Sequence, residues 1–579
     1  MKRVDLFGVA IAAGFLVVGC EPRQDTHQTA ANTNTSTVAQ GGAVPEKKVK
    51  DDEADSIPAA TPPNQPNALE AGAAAPAAPA KTEGPQIYLN SPNQAPTPIA
   101  QPPENTENYQ IIDDNPVKQV AEAPVSTFSI DVDSGSYANI RRFLMNGQRP
   151  PKDAVRVEEM VNYFSYDYPA PREAGIPFKT TTHVVKSPWN ADTYLLEIGI
   201  KGYEPPKAER PAANLVFLID VSGSMADPDK LPLLKAGMKL LTDHLTEKDK
   251  VSIVVYAGNA GVVLEPTSGK DKDEIADALE RLEAGGSTAG GEGIQLAYSL
   301  AKKARIDGGI NRIILATDGD FNVGVTDIDQ LKGMIEESRK LGISLTTLGF
   351  GEGNFNDALM EQLADVGNGN YGYIDSLKEA KRLLVDQLDA TIQTIAKDVK
   401  IQIEFNPSVV AQYRLIGYEN RALRREDFNN DKKDAGEIGA GHTVTAIYEI
   451  ALVGSKGLAV DPLRYGASQP TETAVPPIKP SEFAFLRLRY KEPEGDTSKL
   501  IETPLRTEQL NDPTPAPADL DFAAAVAAFG QLLRGGDYLG KFSYDQIVDL
   551  ARQARGPDDG GYRAEFIDLV EMAKSLGDS

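Results

Sequence analysis

Apolar and polar positions change period several times along the chain, and each change marks a different kind of element. Between Asn214 and Lys397, short continuous apolar runs alternate with segments of helical spacing. Leu215-Val216-Phe217-Leu218-Ile219, Val251 to Tyr256, Ile313 to Ala316, Ser344 to Leu348 and Tyr371 to Ile374 read as strands buried on both faces, and Val262 to Leu264 as a shorter one. Leu231 to Leu245, Asp273 to Leu282, Ile294 to Ala304, Ile328 to Leu341, Phe355 to Val366 and a long stretch from Leu377 to Ile395 read as helices. This alternation predicts a doubly wound, mostly parallel α/β sheet covered on both faces. In such sheets ligands sit at the carboxyl ends of the strands, at the point where the strand order reverses.

The flanks follow other periods. Thr127 to Val132 alternates like a strand, helical patterns follow at Tyr137 to Met145 and Val155 to Phe164, and Thr180 to Val185 and Tyr194 to Ile200 read as strands. Beyond Lys397, Val399 to Phe405, Thr443 to Leu452 and Phe483 to Tyr490 are again strand-like, whereas Ala523 to Leu533, Tyr544 to Ala554 and Tyr562 to Leu576 are helical. No internal repeat is evident. The reading divides the chain into a leader (1–20), a Pro/Ala-rich tether (21–120), an N-terminal cap and β segment (121–210), the α/β domain (211–398), a β-rich domain (399–515) and a helical C-terminal unit (516–579). The flanking β segments are expected to form a neck on which the helical unit docks. Trp189 and the stretch Tyr163 to Tyr168 are expected in packing rather than on a contact surface.

Composition removes several function classes. The 579 residues carry 84 acidic against 59 basic side chains, a net charge of −25, so phosphate backbones would repel the chain and nucleic acid is excluded as a partner. One cysteine and four histidines leave little material for cysteine- or histidine-rich metal sites, and no phosphate or dinucleotide loop is complete, so no small-molecule cofactor is expected. From Glu21 to Val120 the chain holds 15 of its 40 prolines without a sustained period, the composition of a flexible tether.

At the amino terminus, Lys2 and Arg3 precede the apolar run Leu6 to Val18, which ends in Val17-Val18-Gly19-Cys20. Charge, apolar run and small residue stand in signal-peptide order, and the run is too short to span a bilayer comfortably. The tetrad resembles a bacterial lipobox. That resemblance implies an acylated Cys20 as the mature amino terminus. Glu21, where Asp would favour inner-membrane retention, directs the expectation to the outer membrane. Two or more acyl chains suffice for stable anchoring, so the membrane is reached by the lipid anchor alone.

The chemistry-bearing segment is Asp220-Val221-Ser222-Gly223-Ser224, which closes the first apolar strand. Alternate positions 220, 222 and 224 offer a carboxylate and two hydroxyls to one side of an extended turn, the oxygen donors a hard cation prefers. Gly285-Gly286-Ser287-Thr288-Ala289-Gly290-Gly291 brings a threonine on a glycine-rich loop, and Ala316-Thr317-Asp318-Gly319 ends another strand in an aspartate.

Together these residues resemble the metal-ion-dependent adhesion site of the von Willebrand factor A domain, over roughly Asn214 to Lys397. Carried over, Asp220, Ser222 and Ser224 match its Asp-x-Ser-x-Ser element, Thr288 its threonine loop and Asp318 its distal aspartate. The resemblance implies that both serines ligate the ion, that Thr288 and Asp318 do so directly or through water, and that Asp220 holds a coordinated water. Mg2+ is the expected ion, with Mn2+ or Ca2+ as substitutes. If at most one aspartate binds directly, the dication keeps net positive charge and attracts an outside carboxylate, so a protein partner presenting Asp or Glu is expected. No histidine lies in the three loops, which argues against hydrolysis and for a non-enzyme. The whole chain is similar to bacterial von Willebrand factor A lipoproteins, some labelled homologues of calcium-activated chloride channels, although no apolar segment here could form a pore. The expectation is a lipid-anchored cell-envelope protein with an adhesion or assembly role. The rivals are a metal-independent envelope scaffold and a metal-dependent hydrolase.

Overall fold

The computed structural model describes residues 105–173, 175–206, 210–286, 290–319, 328–461, 481–511 and 516–577, all within one unit. The chain opens with β1 (Lys118–Gln119), β2 (Val125–Ser129), α1 (Gly135–Met145), α2 (Val157–Asn162), β3 (Phe178–Lys186) and β4 (Tyr194–Gly202). It then alternates through β5 (Ala213–Asp220), α3 (Leu231–His244), β6 (Lys250–Tyr256), β7 (Ala260–Ser268), α4 (Lys272–Glu280), α5 (Gly290–Lys303), β8 (Ile310–Thr317), α6 (Ile328–Arg339), β9 (Ser344–Phe350), α7 (Asp357–Val366), β10 (Tyr371–Ile374), α8 (Leu377–Lys381) and α9 (Leu388–Ile392). A β-rich stretch follows, with β11 (Thr394–Phe405), β12 (Val410–Ile416), β13 (Ile438–Gly439), β14 (Thr443–Leu452), β15 (Glu482–Lys491) and β16 (Lys499–Arg506). The chain ends in α10 (Ala518–Arg534), α11 (Tyr544–Gln553) and α12 (Tyr562–Ser575).

The central sheet has the order β10-β9-β8-β5-β6-β7, parallel except for the antiparallel edge strand β7. Its apolar runs bury alternate residues on opposite faces. Leu215, Phe217 and Ile219 join α3 and α4 in one core, while Val216 and Leu218 join α5, α6 and α7 in the other. The inner strands β5, β6 and β8 therefore have no solvent-facing side, which is why these segments read as largely apolar runs. After β5 the chain builds outward through β6 and then returns to place β8 on the opposite side of β5. The carboxyl ends of β5 and β8 are thus the switch point of the sheet.

The remaining strands form two antiparallel sheets, β1-β12-β14-β4-β3 and β13-β11-β15-β16 with β2 also paired to β11. Ile198, Ile200, Ile401, Ile403, Val444 and Leu486 share a core that includes residues of both sheets. Leu195, Ile416 and Ile447 of the first sheet belong instead to a core with α1, α2 and α10 to α12. The helical unit thus packs on the β module, and it does so together with the N-terminal helices. Tyr163, Tyr166 and Tyr168 are buried in that same core, and Trp189 packs beside Phe542.

Three sequence readings need correction. The tether expected over 21–120 does not hold for 105–120, where the Thr106 N–H donates to the Gly353 carbonyl and β1 pairs with β12. The helix expected from Leu377 to Ile395 is broken: α8 passes into a π-helical turn over Arg382–Asp386, α9 ends at Ile392, and Ile395 already lies in β11. The turn carries the Arg382 guanidinium onto Glu379 and onto Ser134 at 2.7 Å, and the β-branched residues beyond it pair in a sheet. Strands β12 and β16 lie outside the strands read from the sequence: Pro504 interrupts β16, and the alternation of β12 spans only Ala411 to Leu415.

Candidate functional site

The site is assembled where β5 and β8 end side by side. Ile219 is paired with Ala316, which brings the next residues, Asp220 and Thr317, together. The Asp220 carboxylate is buried and fixed on both oxygens. Oδ1 accepts the Ser222 backbone N–H at 2.8 Å and Oδ2 accepts the Thr317 hydroxyl at 2.9 Å. Burial raises its pKa most, these hydrogen bonds lower it and neighbouring Asp318 raises it, leaving it pushed up to about 6. The turn that Ser222 starts brings its hydroxyl to 3.0 Å from that of Ser224, so two neutral oxygens lie together beside a buried carboxylate.

Backbone bonds pin the neighbouring loops. Val221 donates to the Tyr256 carbonyl at 3.0 Å, Gly285 to the Val221 carbonyl at 2.8 Å and Gly223 to the Gly286 carbonyl at 3.1 Å. The glycine-rich loop is thereby stitched to the Asp-x-Ser-x-Ser turn just ahead of Thr288. Thr288 itself lies outside the described residues, as does Cys20. After Asp318, Gly319 has φ +87°, and a Cβ there would stand 2.3 Å from the Asn356 nitrogen, so the turn requires glycine. Its N–H donates to the Thr317 hydroxyl at 3.1 Å, which orients that hydroxyl toward Asp220.

Asp318 is fully buried, and its Oδ2 accepts from the Lys230 ammonium at 3.1 Å. Sequence reasoning missed Lys230 and Thr317. Lys230 directly precedes α3, and nothing in its local pattern separates it from an exposed helix-start lysine. Thr317 was visible as the neighbour of Asp318, and a hydroxyl beside a strand-end aspartate was the available signal.

The donor set fits a hard cation. Asp220 and Asp318 bring two buried carboxylates against the one ammonium of Lys230, and the paired serine hydroxyls add neutral oxygens. Among the described residues no three His, Cys, Asp or Glu side chains form a cage.

Comparison with known proteins defines the class. Residues 214–386 match the von Willebrand factor type A domain, residues 103–197 match a model described as von Willebrand factor, and residues 390–576 match "Uncharacterized protein YfbK, C-terminal". The central domain is a von Willebrand factor type A domain. The chain is 49% identical over 488 residues to "Uncharacterized protein YfbK" of Escherichia coli (strain K12), covering 83% of each chain, and it belongs to the YfbK family. Among solved structures, a von Willebrand factor type A protein from Catenulispora acidiphila is 16% identical, covers 68% of this chain and 89% of its own, and has a TM-score of 0.37. Proximal thread matrix protein 1 from the mussel byssus, with a zinc-occupied MIDAS motif, is 22% identical over 31% of this chain and 45% of its own, with a TM-score of 0.25.

Proposed function

We propose that this chain is a lipid-anchored cell-envelope protein whose type A domain binds an acidic group of a protein partner through a divalent cation. The observation that carries this reading is the pair of hydroxyls of Ser222 and Ser224, 3.0 Å apart beside buried Asp220 at the sheet's switch point. Asp220, Ser222, Ser224, Thr288 and Asp318 are the residues that would hold the ion. A bound dication would supply an open coordination position for an outside carboxylate. The chain's own part is to keep ligand charge low. Ser222 and Ser224 are neutral, and Asp220 is engaged by the Ser222 N–H and the Thr317 hydroxyl. Von Willebrand factor A domains are in general interaction modules rather than enzymes, and this supports a binding role. The membrane anchor rests on the order of charges, apolar run and Cys20. Among the described residues no helix is long and apolar enough to cross a membrane.

Calorimetric titration of the full chain with Mg2+, followed by capture of partners from envelope extract with and without chelator, tests the proposal. Asp220→Ala should weaken ion binding at least tenfold, and combined Ser222→Ala and Ser224→Ala should abolish it, with circular dichroism unchanged. Magnesium-dependent capture that survives both variants would overturn the reading. The Lys230–Asp318 pair, which balances one carboxylate without an ion, favours a second reading as a metal-independent scaffold. That reading expects partner capture to be indifferent to chelator.

A further inference from the structure

We infer that Lys230 is a resident counter-cation of the candidate centre, and that a divalent ion must displace its ammonium group from Asp318 in order to bind. The inference rests on the metal reading above and adds a regulator to it. Lysine is a residue that folding ordinarily leaves in water, yet the Lys230 side chain is only 6% exposed and Asp318 is 0% exposed. The fold makes a channel for it. A Cβ on Gly351 would stand 2.1 Å from Lys230 Cε, 2.7 Å from Cγ and 2.8 Å from Cδ, so the lysine stem fills the space that any other residue at 351 would occupy. Gly351 has φ +69°, and its carbonyl accepts the buried Tyr373 hydroxyl, which fixes that wall of the channel.

An ammonium group and a dication cannot share the buried Asp318 carboxylate cheaply. Like charges at short range in a poorly polarisable interior repel strongly, and an ammonium left without its carboxylate keeps the full desolvation cost. The ammonium therefore has to leave when the ion arrives. Its exit is short, because Ala226 to Asp229, which join the serine turn to Lys230, are exposed and offer water and the carboxylates of Asp227 and Asp229. Ion binding is thereby coupled to the start of α3. The centre should bind metal more weakly than its oxygen donors alone would.

The test uses the full chain as wild type, Lys230→Met and Lys230→Gln, titrated calorimetrically with MnCl2 and MgCl2. Lys230→Gln keeps a neutral donor for Asp318 and so guards against a variant that fails to fold. In parallel, acetylation of Lys230 is followed by mass spectrometry with and without saturating Mn2+. The expected result is at least tenfold tighter ion binding by both variants, and faster acetylation of wild-type Lys230 when the ion is present. If the wild type binds the ion, and either both variants bind it equally or more weakly or the bound ion leaves Lys230 acetylation unchanged, the displacement idea is overturned and the metal reading stands. If none of the three chains binds either ion, the metal reading itself fails.

Discussion

An imidazole resists protonation when it is removed from water and faced by other cations. At His442 burial first, then Lys201 and Arg382, hold the pKa down at about 4, with Asp131 acting weakly in the opposite direction. Because the folded-state value lies below the unfolded value of about 6.5, the unfolded chain binds the extra proton between those limits. Stability from this group is therefore complete above about pH 7 and is lost as pH falls toward 4, by on the order of 2–3 kcal/mol. Glu158 and Glu437, whose pKa values burial raises, push the other way, since they take up protons while still folded. The measurement is thus a difference: urea unfolding of wild type and His442→Asn at pH 7.5 and pH 5. Wild type should lose more stability than the variant, and equal losses would refute the assignment. At this scale the sequence was an uneven guide. Asp220, Ser222, Ser224 and Asp318 were legible because each continues a strand end into a loop. The partners that set their charge were not, because the burial of Lys230 depends on Gly351, a residue from a distant loop.

Elements were legible in proportion to how far their own pattern decides them. The strands β5, β6 and β8 announce themselves because a strand buried on both faces is driven to be mostly apolar. The break between α8 and β11 was hidden, because Leu383, Leu384, Leu388 and Ile392 keep a helical spacing while ion pairing imposes the π turn. The reason is a buried network centred on α1. The Arg141 guanidinium meets Asp375 at 2.6 Å and Glu379 at 2.9 Å, and reaches Glu565 of α12 at 2.8 Å. The same Glu379 receives Arg382 and the Tyr163 hydroxyl. Removing one partner from such a network leaves the others charged and buried, at a cost of about 3–5 kcal/mol. Arg141→Met should therefore lower stability to urea by about that amount, and should open the α8–α9 segment to limited proteolysis before the rest. A variant with unchanged stability would show the network to be dispensable.

Across the described residues, the first and the last helices make one body. α10 to α12 share their core with α1 and α2, and Arg534 of α10 reaches back to Asp114 at 2.7 Å. Further ties hold this body to the type A domain. Arg156 at the start of α2 bonds Asp357 of α7 at 2.6 Å, and Arg421 of the β module meets Asp131 and Asp133 as well as Glu361 of α7. The C-terminal helices are then not an appendage but half of a core. Ending the chain at Asn511 would strip Val157, Met160, Phe164, Ile447 and their neighbours of cover, at about 1.5–3 kcal/mol for each large apolar side chain returned to water. The sum over several such residues rivals the whole margin of a typical domain, about 5–15 kcal/mol. The truncated chain should therefore bind a hydrophobic dye, associate in sedimentation, and melt well below the full chain, since a newly bared apolar face of this size seeks cover. A truncated chain that stayed monomeric and melted at the full-length temperature would mean that the N-terminal helices hold their place on the sheet unaided.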